Sequence, residues 1–265
     1  MATLGVVYDT TPAPHRPHDV ITLPGGRQDG DVPRPGPKAR GKWLCGSVIH
    51  GVGHVISRVF DHAEARDPGH WRRWVVLVDG ARHQLDMIQA EAERRGVTLD
   101  IVIDIVHALE YLWAGAWSFH AGDDPVAEDW VATHALTLLA SGAVQVADAI
   151  EAQADAAQLD DDQRRGADRC VNYLYANAEF IHYDQALAAG WPIATGVIEG
   201  AARHLLADRL DVTGSRWGLE GAEAILKLRA VTANGHLETY WRFHIDQEDQ
   251  RLYPTPDQAQ YALTA

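Results

Sequence analysis

The amino-acid sequence predicts an α/β fold, helix-rich overall, and three observations carry that expectation. The apolar run Trp74-Val75-Val76-Leu77-Val78 stops at Asp79-Gly80, as a buried strand ending in a turn does. A helical pattern over 82–95 follows, then a second apolar run over 97–103 that ends at Asp104, and strand-helix-strand order implies parallel pairing. Residues 105–190 then read as almost wholly helical, rich in Ala and Leu.

Taken in order, residues 4–8 form a short strand candidate. Pro12, Pro14, Pro17, Gly25, Gly26, Pro33, Pro35 and Pro37 then exclude a continuous helix or an inner strand as far as residue 42. This stretch is expected to be a long, mobile loop. Its basic end, Arg34, Lys38, Arg40 and Lys42, reads either as a phosphate-contacting arm or as a solvated linker. From Trp43 the pattern turns compact, with a strand candidate at 43–49 and a helix near 55–65. In the helix over 82–95, Leu85, Ile88 and Ala92 fall at helical spacing, and Gly96 stands where a C-terminal cap would. Within 105–190, the acids Asp148, Glu151, Asp155, Asp160, Asp161 and Asp162 read as a solvated face rather than a metal site. Helices are expected near 199–209, 219–232 and 237–248, and residues from Pro254 read as a frayed tail.

Composition narrows the function. At 265 residues and 46% hydrophobic, the chain holds enough material for one sizeable domain or two small ones. The sequence has no membrane-length apolar run and no secretory leader pattern, so a cytoplasmic location is expected. Cys45 and Cys170 are the only cysteines, too few for a disulfide framework, and both read as packed thiols. The 14 histidines lack zinc-ligand spacing. A net charge of −14 argues against a surface that is basic all over, so any contact with DNA must be local.

The chemistry lies in carboxylates. Asp79 is expected at the C-terminal tip of a buried strand, the edge where open α/β sheets bind ligands, and Glu199 stands between Gly196 and Gly200 where a long helical pattern begins. Two acids held this way suit Mg²⁺ or Mn²⁺ and phosphoryl transfer, since hard cations take oxygen ligands. Each also has a plainer reading: an Asp-Gly turn after a strand, and a Glu favoured by a helix N-terminus. In Asp104-Ile105-Val106-His107, an acid and an imidazole share the first turn of a helix, or Asp104 is an N-cap and His107 a packed histidine.

Five separated motifs agree in order and approximate spacing with one family. They are 75–80, 104–112, 190–200, Asp208-Arg209-Leu210 with Thr213-Gly214-Ser215-Arg216-Trp217-Gly218, and Tyr240-Trp241-Arg242-Phe243-His244. Over nearly its whole length the chain resembles the DDE transposases of bacterial insertion sequences, of the ISKra type. The resemblance implies an RNase H-like core interrupted, before its last catalytic acid, by an all-helical insertion. It divides the chain into a partial N-terminal strand and loop (1–42), the α/β core (43–120), the insertion (121–190), a C-terminal helical part carrying the catalytic Glu (191–253) and a tail (254–265). It makes Asp79 and Glu199 the metal ligands for DNA strand cleavage and transfer, and Asp104 with His107 a supporting acid-x-x-His signature. The family's first aspartate has no match; the chain is expected to begin inside the core's opening hairpin and to be inactive or impaired as it stands. Asp9 is the residue that could substitute by position, although its Thr-Thr-Pro context resembles a loop. DNA and a second copy of the chain are the implied partners, with no membrane.

Around that pair, Arg203, one turn after Glu199, is expected to pair with it or reach a phosphate. Arg216 and Trp217 are candidates to hold DNA backbone and stack a base. The alternatives to transposition are a non-catalytic DNA-binding or oligomerisation remnant and a different RNase H-like nuclease.

Overall fold

The computed structural model describes residues 2–24, 26, 32–211, 214 and 216–253. The chain is a helix-rich α/β protein that divides into two compact units. The first draws its described residues from 1–8, 41–63 and 197–253; the second comprises Asp9–Arg40 and Glu64–Gly196.

In the first unit, β1 (Thr3–Asp9) and β2 (Arg40–Ser47) form a two-stranded sheet. On it lies α2 (Val52–Arg66), whose Val55 and Val59 pack against Gly5 beside Cys45. The chain returns as α9 (Gly196–Ala202), which runs through a π-helical stretch, Arg203–Ala207, into α10 (Asp208–Leu210). It continues as α11 (Leu219–Ala233) and α12 (Leu237–Leu252). Leu205, Leu226 and Ala230 form a core, surrounded by Leu4, Leu44, Val48 and Leu206. Polar clasps set α11 against β2: Leu44 donates its N–H to Asn234 Oδ1 at 2.8 Å, and Asn234 Nδ2 donates back to Leu44 O at 2.9 Å. The buried carboxylate of Glu223 accepts from Ser47 Oγ and Val48 N and pairs with Lys227, so its charge is satisfied where it stands.

β2 starts before and ends before the span of 43–49 read from sequence. Ser47 Oγ accepts from the N–H groups of Ile49 and His50, a turn that takes those amides away from the ladder. At the other end the strand takes in Arg40 and Lys42, so these two cations sit on a sheet and not on an arm.

The second unit holds the parallel pair. β3 (Trp74–Val78) and β4 (Leu99–Ile103) run in register from Trp74↔Leu99 to Val78↔Ile103, so Asp79 and Asp104 are the next residues on each. The crossover is α3 (Arg82–Arg95), which buries Leu85, Ile88 and Ala92 and ends at Gly96 with φ 66°, as the sequence predicts. After β4 come α4 (Ile105–Ala116), α5 (Val126–Ser141), α6 (Ala143–Ala156), α7 (Asp161–Ala176) and α8 (Tyr183–Ala189). Of these, α4, α5, α6 and α7 pack in a closed ring, each touching two others in turn. The ring is tight at Gly166 of α7, where a Cβ would stand 2.1 Å from the backbone oxygen of Ala114 in α4. Only glycine admits that approach.

The acids of the block are surface groups and caps. Asp160 caps α7 by accepting from the N–H groups of Asp162 and Gln163, Asp155 pairs with Arg164, and Asp162 with Arg165. Burial pushes the thiols of Cys45 and Cys170 up, to about 11 and about 12, as expected of packed, unreactive cysteines.

The Pro-rich segment is better anchored than a free loop. Ala13 N–H donates to Gly190 O at 3.0 Å and His15 N–H to Leu187 O at 3.2 Å, and Pro17 opens the single turn α1 (Pro17–Val20), which packs on α5. The expected mobility therefore does not hold for residues 13–20; much of the stretch from 25 to 31, like the tail from Pro254, lies outside the described residues. No described helix is long and apolar enough to cross a membrane.

Candidate functional site

Asp79 leaves the end of β3 exposed to solvent. Its Oδ1 accepts from Ala81 N–H at 3.1 Å across Gly80, whose φ of 89° belongs to glycine, so the Asp-Gly turn read from sequence is formed. Oδ2 has no partner among the described residues. The turn thus holds the carboxylate by one oxygen and presents the other.

Asp104, its neighbour across the ladder, is buried and fully used. Oδ1 accepts from Val106 N–H at 2.9 Å, which caps α4. Oδ2 accepts from Thr195, from its N–H at 3.2 Å and from its hydroxyl. Beside it, Asp104 N–H donates to Val78 O at 2.8 Å and Ile105 N–H to Ile193 O at 2.9 Å. Asp104 therefore joins the end of β3, the start of α4 and the segment leading into α9. It is an anchoring carboxylate, not a ligand.

His107 turns away from it. Its Nδ1 lies 3.3 Å from Glu110 Oε2, and the ring lines a shallow pocket of about 170 Å³ with Glu110, Tyr111, Ala114 and Arg169. The acid and the imidazole do not act as a pair. The cap draws the Asp104 side chain back over its own backbone, while the next turn carries His107 to the outer face of α4.

Behind Asp79 stands a group of side chains that sequence reading missed. Tyr111 of α4 and Tyr173 of α7 stack with centroids 3.7 Å apart and planes 9° apart, and the Arg169 guanidinium lies 5.2 Å from the Tyr111 ring centre. The Tyr173 hydroxyl and Asn177 Oδ1 each come within 3.5 Å of where a Cβ on Gly80 would sit. Neither the Tyr173 hydroxyl nor that of the wholly buried Tyr183 has a hydrogen-bond partner among the described residues. Burial first, then Tyr111 and the charges of Asp79, Asp104 and Glu110, push Tyr173 up; burial, Tyr173 and Asp104 do the same to Tyr183. Both stay neutral hydroxyls, because a phenolate would face carboxylates in a poorly solvated place. No spacing in the helical block signals these tyrosines; packing of α4 on α7 brings them to the strand edge.

Asp9, the residue that could substitute by position, is ion-paired. Its two oxygens are taken by Arg72 at 2.7 Å and Arg66 at 3.2 Å.

Glu199 belongs to the other unit, in the first turn of α9, and is exposed. The expected ion pair with Arg203 does not form: neither has an ionic partner among the described residues. Both side chains are exposed, and the π-helical stretch begins only at Arg203, after the turn that separates them. Arg216 and Trp217 are exposed ahead of α11, and one face of Trp217 carries the Arg209 guanidinium at 5.5 Å, a cation that sequence reading passed over. Thr213 and Ser215 of the same motif lie outside the described residues. Lys38 is exposed between α1 and β2.

Among the described residues no three His, Cys, Asp or Glu side chains are grouped to hold a metal ion. Asp79 and Glu199 are each exposed oxygen donors free of ion pairs, the kind of group a hard divalent cation takes. Compared with known proteins, the chain matches no family model, no curated protein and no solved structure.

Proposed function

We propose that the chain is the catalytic portion of a DNA transposase of the DDE kind, an RNase H-like core with an all-helical insertion ahead of its last acid. One observation carries the reading. β3 and β4 run parallel in matched register and bring Asp79 and Asp104 to one sheet edge, with a ring of helices and then Glu199 following in the order the family resemblance implies. That edge is where α/β sheets place ligands.

In this reading Asp79 and Glu199 hold Mg²⁺ or Mn²⁺, which when bound supplies Lewis-acid charge to the attacking and leaving oxygens of a phosphodiester. The protein's own part is positional. Asp79 is presented by a turn that already fixes one of its oxygens, and Asp104 ties the strand edge to the segment entering α9. Arg203, Arg209 and Arg216, exposed on the first unit, contact phosphates, and Trp217 with Arg209 offers a flat surface to a base. Such contacts are local, as a chain of net charge −14 requires. The partners are element ends and target DNA, and two ends make a homodimer the working form, in the cytoplasm.

The test is strand cleavage and strand transfer on terminal-repeat DNA with Mn²⁺. The expected result is weak activity from the chain as it stands, which Asp79→Ala and Glu199→Ala each lower to background. Activity that survives either change sinks the assignment, and hydrolysis without joining identifies a nuclease instead.

A second reading draws support from the acids already engaged. Because Arg66 and Arg72 hold Asp9 and backbone donors hold Asp104, two uncommitted acids remain of the three the family uses. A non-catalytic DNA-binding form would bind DNA with an affinity indifferent to both acids and to the cation.

A further inference from the structure

We propose that α12 is the surface through which two copies of this chain pair, each helix lying antiparallel against its counterpart. The homodimer of the proposed function thereby gains a contact surface, and the pairing requires no cation, no DNA and no catalytic residue.

α12 runs for 16 residues, about 24 Å, and buries none of them. Among the described elements, α11 is the one it packs against. Helices in proteins take most of their stability from packing an apolar face, and this one leaves its face bare. Trp241, Ile245 and Leu252 are 48%, 55% and 56% exposed, and with Glu248 they recur at the i, i+4, i+7, i+11 spacing of a helix-pairing seam. Trp241 is also held in place, its ring edge-on to His244 with centroids 5.4 Å apart, which suits it as the anchor of an interface.

Charge selects a second copy as the occupant. Arg242 and Asp249 lie two helical turns apart on one side of the seam, both exposed and neither ion-paired among the described residues. In an antiparallel pair centred between Ile245 and Asp246, Arg242 of each copy stands opposite Asp249 of the other, and the two-fold axis makes the contact twice. Parallel pairing would set Arg242 against Arg242 and Asp249 against Asp249, which like charge disfavours. Glu248, the one charged residue in the seam, is already paired with Arg251 at 2.7 Å.

The experiment is sedimentation equilibrium of the full chain from about 1 to 100 μM, for wild type, Trp241→Ala, Phe243→Ala, Arg242→Glu, Asp249→Arg and the double variant Arg242→Glu/Asp249→Arg. All are exposed positions, and circular dichroism checks the fold. The expected result is a concentration-dependent dimer that Trp241→Ala weakens about thirtyfold. Each single charge reversal weakens it about tenfold, and the double variant, which restores opposite charges across the axis, returns to within about threefold of wild type. Phe243, 62% exposed on the same helix but off the seam, separates this contact from general stickiness: Phe243→Ala leaves the dimer within about twofold. A wild type that stays monomeric throughout overturns the proposal and leaves the face to a different partner. A dimer indifferent to Trp241→Ala, or weakened as much by Phe243→Ala, overturns the surface, and a double variant no better than the singles overturns the antiparallel arrangement. None of these results bears on Asp79 and Glu199, which the cleavage assay tests separately.

Discussion

Two aspartates one strand apart illustrate how much a local environment decides. Asp79 is exposed and half committed, whereas Asp104 is 4% exposed and accepts from three donors. Asp104→Ala is expected to cost about 2–4 kcal/mol, as a lost cap plus the buried Thr195 donors left without an acceptor. Asp79→Ala removes one exposed turn contact and is expected to cost under about 1 kcal/mol. Urea unfolding of the two variants checks the contrast, and equal losses would refute the division of roles. The turn at Asp79 and the cap at Asp104 were legible in the sequence because both are made within two residues. The bond from Asp104 to Thr195 was not, since it spans 91 positions and no local pattern encodes it. Pairing of Glu199 with Arg203 failed for a different reason: four-residue spacing on a helix permits an ion pair without requiring one, and both side chains stand exposed to water.

Elements were easier to read than their edges. The helix Arg82–Arg95 shows its apolar spacing and its closing glycine openly, and the parallel pair follows from strand-helix-strand order. β2 slipped because side chains, not apolar pattern, decide where it stops: Ser47 folds the chain over at one end. In the helical block, composition announces helices and is silent on which of them touch. Contact between α4 and α7 depends on Gly166, and Gly166→Ala is expected to destabilise the chain by about 1–3 kcal/mol despite alanine's better helix propensity. A fall in melting temperature of several degrees would register it, and an unchanged value would mean the helices can part without loss. That same packing carries Tyr173 to the strand edge, which explains why the tyrosine could not be found from the sequence.

At the scale of the whole molecule, charge sets the terms of any DNA contact. With a net charge of −14, affinity has to come from a few cations, and the three assigned to phosphates in this reading, Arg203, Arg209 and Arg216, are among those exposed on the first unit. If the proposed function holds, the logarithm of the DNA binding constant should fall against the logarithm of salt concentration with a slope of about −3. Replacing any one of the three by alanine should flatten it by about 1, as fluorescence anisotropy over a salt series can measure. The Asp104 and Thr195 bonds bear on how such a chain can change over evolution. They make the departure and return of a 91-residue excursion the same place. Closing such a loop depends only weakly on its length, with each doubling costing about 0.6 kcal/mol. Connections between the helices of the block could lengthen while the exit point kept its position, provided the packing of α4 on α7 and the α4 aspartate were retained.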